Sequence, residues 1–171
     1  MRAAVLTVSD RSARGEREDA SGPALRSLLE AHGWAVTQAA VVPDEPSEIR
    51  AKLIEWADSG EIDLILTTGG TGLSPRDRTP EATLEVLDRQ APGLAEAIRA
   101  AGLQQTPHAM LSRGVAGARR RALIVNLAGS PKAATEGLEV VLPALPHAIE
   151  LLSGLTQGEA GHRPPRRAGR A

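Results

Sequence analysis

The sequence predicts an α/β domain with a mostly parallel central sheet that helices cover on both faces. Short apolar runs typical of strands alternate along the chain with segments of helical periodicity, and this alternation is typical of parallel sheets. Glycine-rich turns follow two of the apolar runs and precede helical segments, as expected where parallel strands end at a common edge.

Composition narrows the class of protein further. The 171 residues include no cysteine, which excludes disulfides, thiolate catalysis and cysteine-based zinc sites. The formal net charge is -1, and the apolar runs are shorter than the roughly 18 residues of a membrane span. Phe and Tyr are absent, so aromatic stacking on nucleic-acid bases is hardly available. We therefore expect a cytoplasmic protein that acts on neither membrane nor nucleic acid.

The first half of the chain contains three predicted strands and two predicted helices. Ser21-Gly22-Pro23 begins the first helix and Gly33 ends it. The segment Pro43-Asp44-Glu45-Pro46 closes the second strand. The predicted strands are 2–9, 34–42 and 62–68, and the predicted helices are 21–32 and 47–59.

The second half of the chain continues the alternation. Ala91-Pro92-Gly93 separates two helices, and Gly129-Ser130-Pro131 carries the cap and proline signals that begin a third. The predicted helices are 80–88, 92–101, 131–142 and 147–152, with a short strand within 106–115 and a strand at 122–126.

The composition changes from Gly154 onward to glycine, proline, arginine and alanine. Four arginines and one glutamate give these last residues a net charge of +3. Because they lack an apolar face, we expect a domain over 1–153 followed by a disordered basic tail over 154–171. A nucleic-acid-binding arm is the less favoured interpretation of the tail.

The strongest functional signal follows the third predicted strand. Three glycines within Gly69-Gly70-Thr71-Gly72 allow a sharp turn and close approach to a ligand. Consecutive N–H groups in such a turn form a concavity that suits an anion. Asp77 follows, and Thr79 is expected to cap the next helix with Pro80 at its first position.

Four predicted loops lie at the carboxyl ends of strands, and a parallel sheet brings such ends to one edge. They supply three aspartates, two glycine turns and one lysine, which fits phosphoryl or nucleotidyl transfer, because N–H groups and lysine hold phosphates while carboxylates hold Mg²⁺. The loops are Ser9-Asp10-Arg11, Pro43-Asp44-Glu45, the segment Gly69–Asp77, and the segment Asn126–Lys132.

Structural interpretations of the same residues stay open. Asp10 could cap or turn the chain after the first strand, and Asp44 could cap the helix that follows it. Asp77 could pair with Arg76 or Arg78, and Asn126 could bond the loop backbone. Ser130 as a helix cap would still leave the helix N-terminus available to an anion. Lys132 stands in a first helical turn, where the helix dipole disfavours a cation, and this favours a phosphate partner.

At these residues the chain resembles the MogA/MoaB-like family of molybdopterin adenylyltransferases. The resemblance covers roughly residues 2–153, and its long central motif is the specific part. It departs at Ala128, where the family usually has proline. The matching motifs are Thr-Val-Ser-Asp-Arg at 7–11, Val-Pro-Asp-Glu at 42–45, Thr-Thr-Gly-Gly-Thr-Gly at 67–72, Ser-Pro-Arg-Asp-Arg-Thr-Pro-Glu-Ala-Thr at 74–83, Leu-Ser-Arg at 111–113 and Asn-Leu-Ala-Gly-Ser-Pro-Lys at 126–132.

The resemblance implies a three-layer α/β/α sandwich, commonly a homotrimer and sometimes a hexamer. It implies Mg-ATP-dependent transfer of AMP to the terminal phosphate of molybdopterin with release of pyrophosphate, before a molybdate-insertion enzyme receives the product. The family's two functional aspartates fall on Asp44 and Asp77, which we expect to be catalytic and to hold Mg²⁺. The candidate substrate- and nucleotide-binding residues are Ser9, Asp10, Gly69, Gly70, Thr71, Gly72, Ser74, Ser112, Asn126, Gly129, Ser130 and Lys132.

Two other functions compete with adenylyl transfer. A non-catalytic molybdopterin-binding or scaffold paralogue would bind pterin without releasing pyrophosphate. An unrelated nucleotide or phosphosugar enzyme on a similar sheet would bind ATP without requiring molybdopterin. The presence of Asp44, Asp77 and Lys132 favours the adenylyltransferase.

Overall fold

A six-stranded sheet forms the centre of the computed structural model, which describes residues 1–154. The strands are β1 (Arg2–Val8), β2 (Ala35–Val42), β3 (Leu64–Thr68), β4 (Arg89–Gln90), β5 (Ala116–Arg119) and β6 (Ala122–Leu127). They lie in the order β2-β1-β3-β6-β5-β4. The first four in this order are parallel, whereas β5 runs antiparallel to β6 and β4 antiparallel to β5.

Helices cover both faces of the sheet, which confirms the predicted three-layer α/β/α sandwich. The helices are α1 (Asp10–Ala13), α2 (Ser21–Ala31), α3 (Pro46–Asp58), α4 (Thr79–Val86), α5 (Pro92–Leu103), α6 (Pro131–Val141) and α7 (Leu145–Ser153). Apolar residues of α2, α5, α6 and α7 pack on one face, and those of α3 and α4 pack on the other. The predicted tail from residue 155 onward lies outside the described residues.

Successive strand residues point to opposite faces and so feed two separate cores. Val5 and Leu66 belong to the core under α2 and α6, whereas Leu6 and Ile65 belong to the core under α3 and α4. All four side chains are almost fully buried. Within residues 1–154, no helix is both long and apolar enough to cross a membrane.

The segment between α5 and β6 differs from the prediction. The strand expected within 106–115 is wrong, because Pro107–Leu111 forms a 3-10 helix in which the Thr106 hydroxyl accepts the N–H of His108 at 3.3 Å. Pro107 fixes φ and lacks an N–H, which suits a helical first turn. The strands β4 and β5 were not predicted, because their small or polar residues show no apolar alternation.

Gly69, the first residue after β3, turns the chain against β1. Its φ is +98°, and a side chain there would collide with the main-chain carbonyl oxygen of Val8. Gly60 also has positive φ, at +71°, but nothing lies within 4 Å of the position of its missing side chain. Replacing each glycine by alanine therefore distinguishes two effects on stability. At Gly60 the substitution strains only the left-handed backbone, whereas at Gly69 it also creates a steric clash.

We expect Gly69→Ala to lower the free energy of unfolding by about 1–3 kcal/mol more than Gly60→Ala does, because only the first substitution overpacks the backbone. Both variants carry the left-handed penalty of about 1–2 kcal/mol. Urea titrations of the two variants and the wild type measure the difference. Equal losses would show that the Val8 carbonyl does not constrain this turn.

Candidate functional site

The carboxyl ends of four parallel strands meet at one edge of the sheet, as the sequence predicts. Thr7 near the end of β1 pairs in register with Thr68 at the end of β3, and Thr68 pairs with Leu127 at the end of β6. The Thr68 hydroxyl also donates to the carbonyl of Ala128 at 2.7 Å. The loops that follow β3 and β6 are therefore held side by side, and two cavities open beside them.

The smaller cavity, here called the polar cavity, has a volume of about 330 Å³. It lies between the loops that follow β1, β2, β3 and β6. Its lining is Thr7, Val8, Ser9, Ser12, Arg17, Glu18, Asp19, Ala20, Ser21, Asp44, Thr68, Gly69, Gly70, Asp77, Gly129, Ser130 and Pro131.

The second cavity, here called the large cavity, has a volume of about 830 Å³ and a more apolar lining from α5, α6 and the 3-10 helix. Its lining is Gly70, Thr71, Gly72, Asp77, Ile98, Arg99, Ala101, Gly102, Gln105, Thr106, His108, Ala109, Leu111, Ser112, Asn126, Ala128, Gly129, Ser130, Ala133, Glu136, Gly137, Glu139 and Val140.

Gly70, Asp77, Gly129 and Ser130 line both cavities, and we call these four residues the shared wall. Beside this wall, the loops that follow β3 and β6 approach each other closely. A side-chain carbon on Gly129 would lie 3.2 Å from the Cα of Gly69. The main chain of these loops, together with Asp77 and Ser130, would therefore separate ligands in the two cavities.

Asp44 reaches the polar cavity from the loop after β2. Its Oδ2 accepts the N–H of Asp10 at 2.8 Å, and its own N–H donates to Oδ1 of Asp10 at 3.0 Å. Burial raises the pKa of the Asp44 carboxyl, and the charges of Asp10 and Asp77 raise it further. The interpretation of Asp44 as the cap of the helix that follows it is wrong, since Glu45 is the cap residue of α3 and no side chain caps that helix.

Asp77 stands at the shared wall on the loop before α4. Its Oδ2 accepts the N–H of Ser74 at 3.1 Å, and its N–H donates to the Ser74 carbonyl at 2.9 Å. A side-chain carbon on Gly72 would lie 2.8 Å from that same Oδ2. The carboxylate thus lies directly against the glycine loop, and Arg76 pairs with other acids instead of with Asp77.

Asp10 and Arg76 connect the loops outside the cavities. The Arg76 guanidinium donates to both oxygens of Asp10, at 3.0 and 2.9 Å, and to Glu45 at 2.7 Å. The hydrogen bond from Arg76 lowers the pKa of the Asp10 carboxyl. Of the described residues predicted for the site, Asp10, Ser74 and Lys132 lie outside the linings of both cavities.

Asn126 and Thr79 hold the interior of the site. The Asn126 amide, 3% exposed, donates to the hydroxyls of Thr67 and Thr83 at 2.9 and 3.0 Å, and its oxygen accepts the N–H of Val115 at 3.2 Å. This is the structural role that the sequence left open. The prediction that Thr79 caps α4 is wrong, because Arg78 is the cap residue and no side chain caps the helix. The Thr79 hydroxyl instead donates to the Gly69 carbonyl at 2.9 Å.

The N-terminus of α6 points to the shared wall. Ser130 caps this helix by accepting the N–H of Ala133 at 3.3 Å, and Pro131 is its first residue, as predicted. Lys132 follows, with its side chain 82% exposed and its ammonium 3.8 Å from Glu136. An exposed ion pair of this length contributes little stability, so the ammonium is available to an anion.

Sequence reasoning missed Asp19 and Thr7 in the polar cavity. Oδ1 of Asp19 accepts the N–H groups of Ser21 and Gly22 at 3.1 and 3.0 Å, and its Oδ2 accepts the Thr7 hydroxyl at 2.7 Å. The available signal was an aspartate just before the helix start at Ser21, which is typical of capping. It does not reveal the contact with β1.

The carboxylates fit a magnesium ion only if phosphates complete its coordination. Within residues 1–154 no group of three or more His, Asp or Glu side chains is placed to enclose a metal. Asp44 and Asp77 nevertheless line one cavity, and the charge of Asp77 raises the pKa of Asp44. Mg²⁺ is commonly held by one or two carboxylates together with water and substrate phosphates, and this donor set fits that arrangement.

Comparison with known proteins agrees with the geometry. Residues 4–147 match the family model described as "Probable molybdopterin binding domain". The chain is 42% identical over 152 residues to a molybdopterin adenylyltransferase of Helicobacter pylori, covering 88% of this chain and 86% of the relative. It is 44% identical over 150 residues to the molybdenum cofactor synthesis protein cinnamon of Drosophila melanogaster, of which it spans only 25%.

Solved structures of molybdopterin biosynthesis proteins are also similar to this chain. The crystal structure of the molybdopterin biosynthesis enzyme MoaB from Thermus thermophilus is similar, with a TM-score of 0.85 and 58% identity over 90% of this chain and 96% of that one. A structure of MogA has a TM-score of 0.84 and 44% identity, and the match covers 89% of this chain and 99% of that one.

We expect Asp44→Asn to raise the melting temperature at pH 7, because it removes a buried charge and keeps an oxygen for the Asp10 N–H. A raised pKa in the folded state means that the Asp44 carboxylate opposes folding above that pKa and ceases to do so once protonated. The difference in melting temperature between Asp44→Asn and the wild type should therefore shrink as the pH falls through the raised pKa of Asp44. Thermal melts from pH 7 to pH 3 test this, and a lower melting temperature at pH 7 would contradict it.

Proposed function

The chain belongs to the family of the probable molybdopterin binding domain, and from this premise we propose that it catalyses Mg-ATP-dependent adenylylation of molybdopterin. The observation that carries the proposal is the shared wall, where two cavities at the carboxyl edge of the sheet meet across Gly70, Asp77, Gly129 and Ser130. Transfer between two bound substrates requires such a meeting point.

Family membership confirms the resemblance found in the sequence, and it rules out the unrelated nucleotide or phosphosugar enzyme. Relatives about 42% identical over most of the chain are molybdopterin adenylyltransferases by name. The chain spans 86% of the Helicobacter pylori relative but only 25% of cinnamon. The scaffold paralogue is the second candidate. It is distinguished by molybdopterin binding without pyrophosphate release.

The linings of the two cavities suit different substrates. The large cavity is bordered by Ile98, Leu111 and Val140 and has room for a planar pterin. The polar cavity, with its hydroxyls, carboxylates and glycine N–H groups, suits the ribose and phosphates of ATP. This placement brings the terminal phosphate of molybdopterin and the α-phosphate of ATP to the shared wall.

In the proposed reaction an oxygen of the molybdopterin phosphate attacks the α-phosphorus of ATP. The new P–O bond forms as the bond between the α-phosphorus and its bridging oxygen breaks, and pyrophosphate leaves. The attacking phosphate is already anionic, so the protein needs no general base. Its task is to hold two polyanions in line, which is mainly positioning and electrostatic stabilisation.

This chain's own groups offset the repulsion between the substrates. The main-chain N–H groups of Gly70 and Gly129 and the N-terminus of α6 attract phosphate oxygens. Asp44 and Asp77 would hold Mg²⁺, which when bound neutralises phosphate charge. Lys132, two residues after the cap of α6, would add a mobile positive charge.

Assembly, partner and location extend the proposal. The chain would form a homotrimer or hexamer, pass its product to a molybdate-insertion enzyme and act in the cytoplasm. The absence of cysteine is consistent with that compartment. The exposed side chains of Leu73 and Met110, 66% and 62% accessible, offer apolar surface for association. Light scattering of the purified chain measures the oligomeric state.

Incubation with molybdopterin, ATP and MgCl₂ tests the function directly. The proposal expects adenylyl-molybdopterin and pyrophosphate in equal amounts. Molybdopterin binding without either product would instead support the scaffold alternative. A chain that fails to bind molybdopterin would contradict both.

Asp77→Asn should lower the rate of pyrophosphate release by about 10²–10³, because it removes charge at the reacting phosphates while keeping the side-chain volume. Folding should change little. Asp63→Asn is the matched control. Asp63 accepts the Arg2 N–H just before β3, at the amino ends of the strands and so away from the site. Full turnover of Asp77→Asn at saturating Mg²⁺ would remove Asp77 from the mechanism.

Lys132→Ala should weaken molybdopterin binding by roughly 1.5–3 kcal/mol through loss of a charge-assisted contact. The melting temperature of the free protein should hold or rise slightly, because an unfavourable interaction with the dipole of α6 is removed. Lys52→Ala is the control, as Lys52 pairs with Glu55 on α3. Unchanged affinity, or a large loss of ligand-free stability, would show that Lys132 has a structural role instead.

A further inference from the structure

The Arg113 side chain bonds the main chain of the loop that carries Asp77. Its Nε donates to the carbonyl of Gly72 at 2.7 Å, and its Nη2 donates to the carbonyl of Asp77 at 2.5 Å. The Arg113 N–H donates to the carbonyl of Thr71 at 2.9 Å. Nη1 pairs with Glu81 on α4. One residue thus contacts the loop at its start, at its end and in the helix that follows.

This loop has few other supports. Between Gly72 and Asp77 it forms neither helix nor strand, and its hydrogen bonds with Ser74 are internal. Arg76 connects it outward to Asp10 and Glu45, but the Arg76 side chain is 52% exposed. Arg113 is less exposed, at 33%, and bonds carbonyl groups whose positions fix the backbone on both sides of the Asp77 carboxylate.

The bonding pattern requires a guanidinium. Arginine presents five N–H donors in a rigid plane, whereas the lysine ammonium is a compact charge that cannot reach three separated acceptors in fixed directions.

Burial raises the pKa of Glu81, but the hydrogen bond from Arg113 and other favourable contacts outweigh this, so the Glu81 pKa is below its usual value. Within residues 1–154 the other Glu81 carboxylate oxygen is buried without a partner.

We propose that Arg113 is a positioning residue for the transfer reaction: by fixing the carbonyls of Gly72 and Asp77, it holds the Asp77 carboxylate at the shared wall. The inference rests on the proposed function. It assigns Arg113 a role through Asp77, without contact with either substrate. The adjacent Ser112 lines the large cavity, so the same anchor also fixes one border of that cavity.

A double-mutant cycle tests the proposal. Arg113→Lys keeps the positive charge but removes the planar set of N–H donors. We expect kcat to fall by about 10²-fold, the effect that misplacing a reacting group by about 1 Å can have. The KM values for ATP and molybdopterin should change less than kcat. In the Asp77→Asn background the same substitution should cost far less, because the group through which it acts is already removed.

Two further variants separate the contributions. Arg119→Lys is the matched control, since Arg119 pairs by a similar fork with Asp58 and bonds the Val86 carbonyl away from the cavities. It should leave kcat unchanged. Glu81→Gln retains an oxygen for Arg113 but removes the ion pair, and it should cost less than Arg113→Lys if the main-chain contacts carry the effect.

Amide hydrogen exchange supplies a readout that does not depend on activity. Arg113→Lys should speed exchange in residues 70–78 and leave β1, β3 and β6 protected, whereas Arg119→Lys should not change 70–78. Unchanged exchange there, or losses in kcat that multiply independently in the double mutant, would overturn the positioning role. A wild-type chain without pyrophosphate release would contradict the proposed function alone, and exchange would then decide whether Arg113 fixes the loop.

Discussion

Close packing of bare main chain at the carboxyl edge of the sheet is the constraint on which the rest of the site depends. Gly69 turns against the carbonyl of Val8, and Gly129 approaches Gly69 closely. The Thr68 hydroxyl holds the carbonyl of Ala128 beside them. The two loops therefore lie side by side, and the shared wall between the cavities consists of Gly70 and Gly129 together with Asp77 and Ser130.

The wall also creates an electrostatic problem. Asp44 is partly buried, and burial together with the charges of Asp10 and Asp77 raises its pKa, so the site holds carboxylates that repel one another. Two arginines stabilise the surrounding loops, Arg76 through the Asp10 side chain and Arg113 through carbonyl groups. Under the proposed function, N–H groups, the α6 N-terminus, Lys132, a metal ion and Arg17, which lines the polar cavity, would attract phosphate. The raised pKa means that the charged Asp44 carboxylate opposes folding at neutral pH.

Local patterns in the sequence were enough to predict the parallel strands, most helices and the convergence of the four loops. Glycine and proline positions and apolar periodicity predict these features, because strand and helix boundaries depend mainly on residues that are close in sequence. The misassigned 106–115 segment and the missing β5 follow from Pro107 and from strands built of small residues. The predicted cap Thr79 is instead the first residue of α4, and its hydroxyl donates to a tertiary acceptor, the Gly69 carbonyl.

The supports of the site were beyond the reach of single-sequence reasoning. Arg113 lies 36 residues from Asp77 along the chain, and Arg76 lies 66 residues from Asp10. No local sequence pattern specifies contacts between residues so far apart in the chain, because the order of the strands in the sheet determines which loops become neighbours. Motif similarity made Asp44 and Asp77 candidates, while the structure was needed to find the residues that contact them.

The proposed reaction requires two substrates to occupy the two cavities at once and to meet at the shared wall. Calorimetric titration with an ATP analogue that has a non-cleavable α–β linkage, in the presence of Mg²⁺ and with or without saturating molybdopterin, tests this most directly. We expect the analogue to bind one site per chain even when molybdopterin is present. Mutually exclusive binding would contradict it, because both ligands would then occupy a single site.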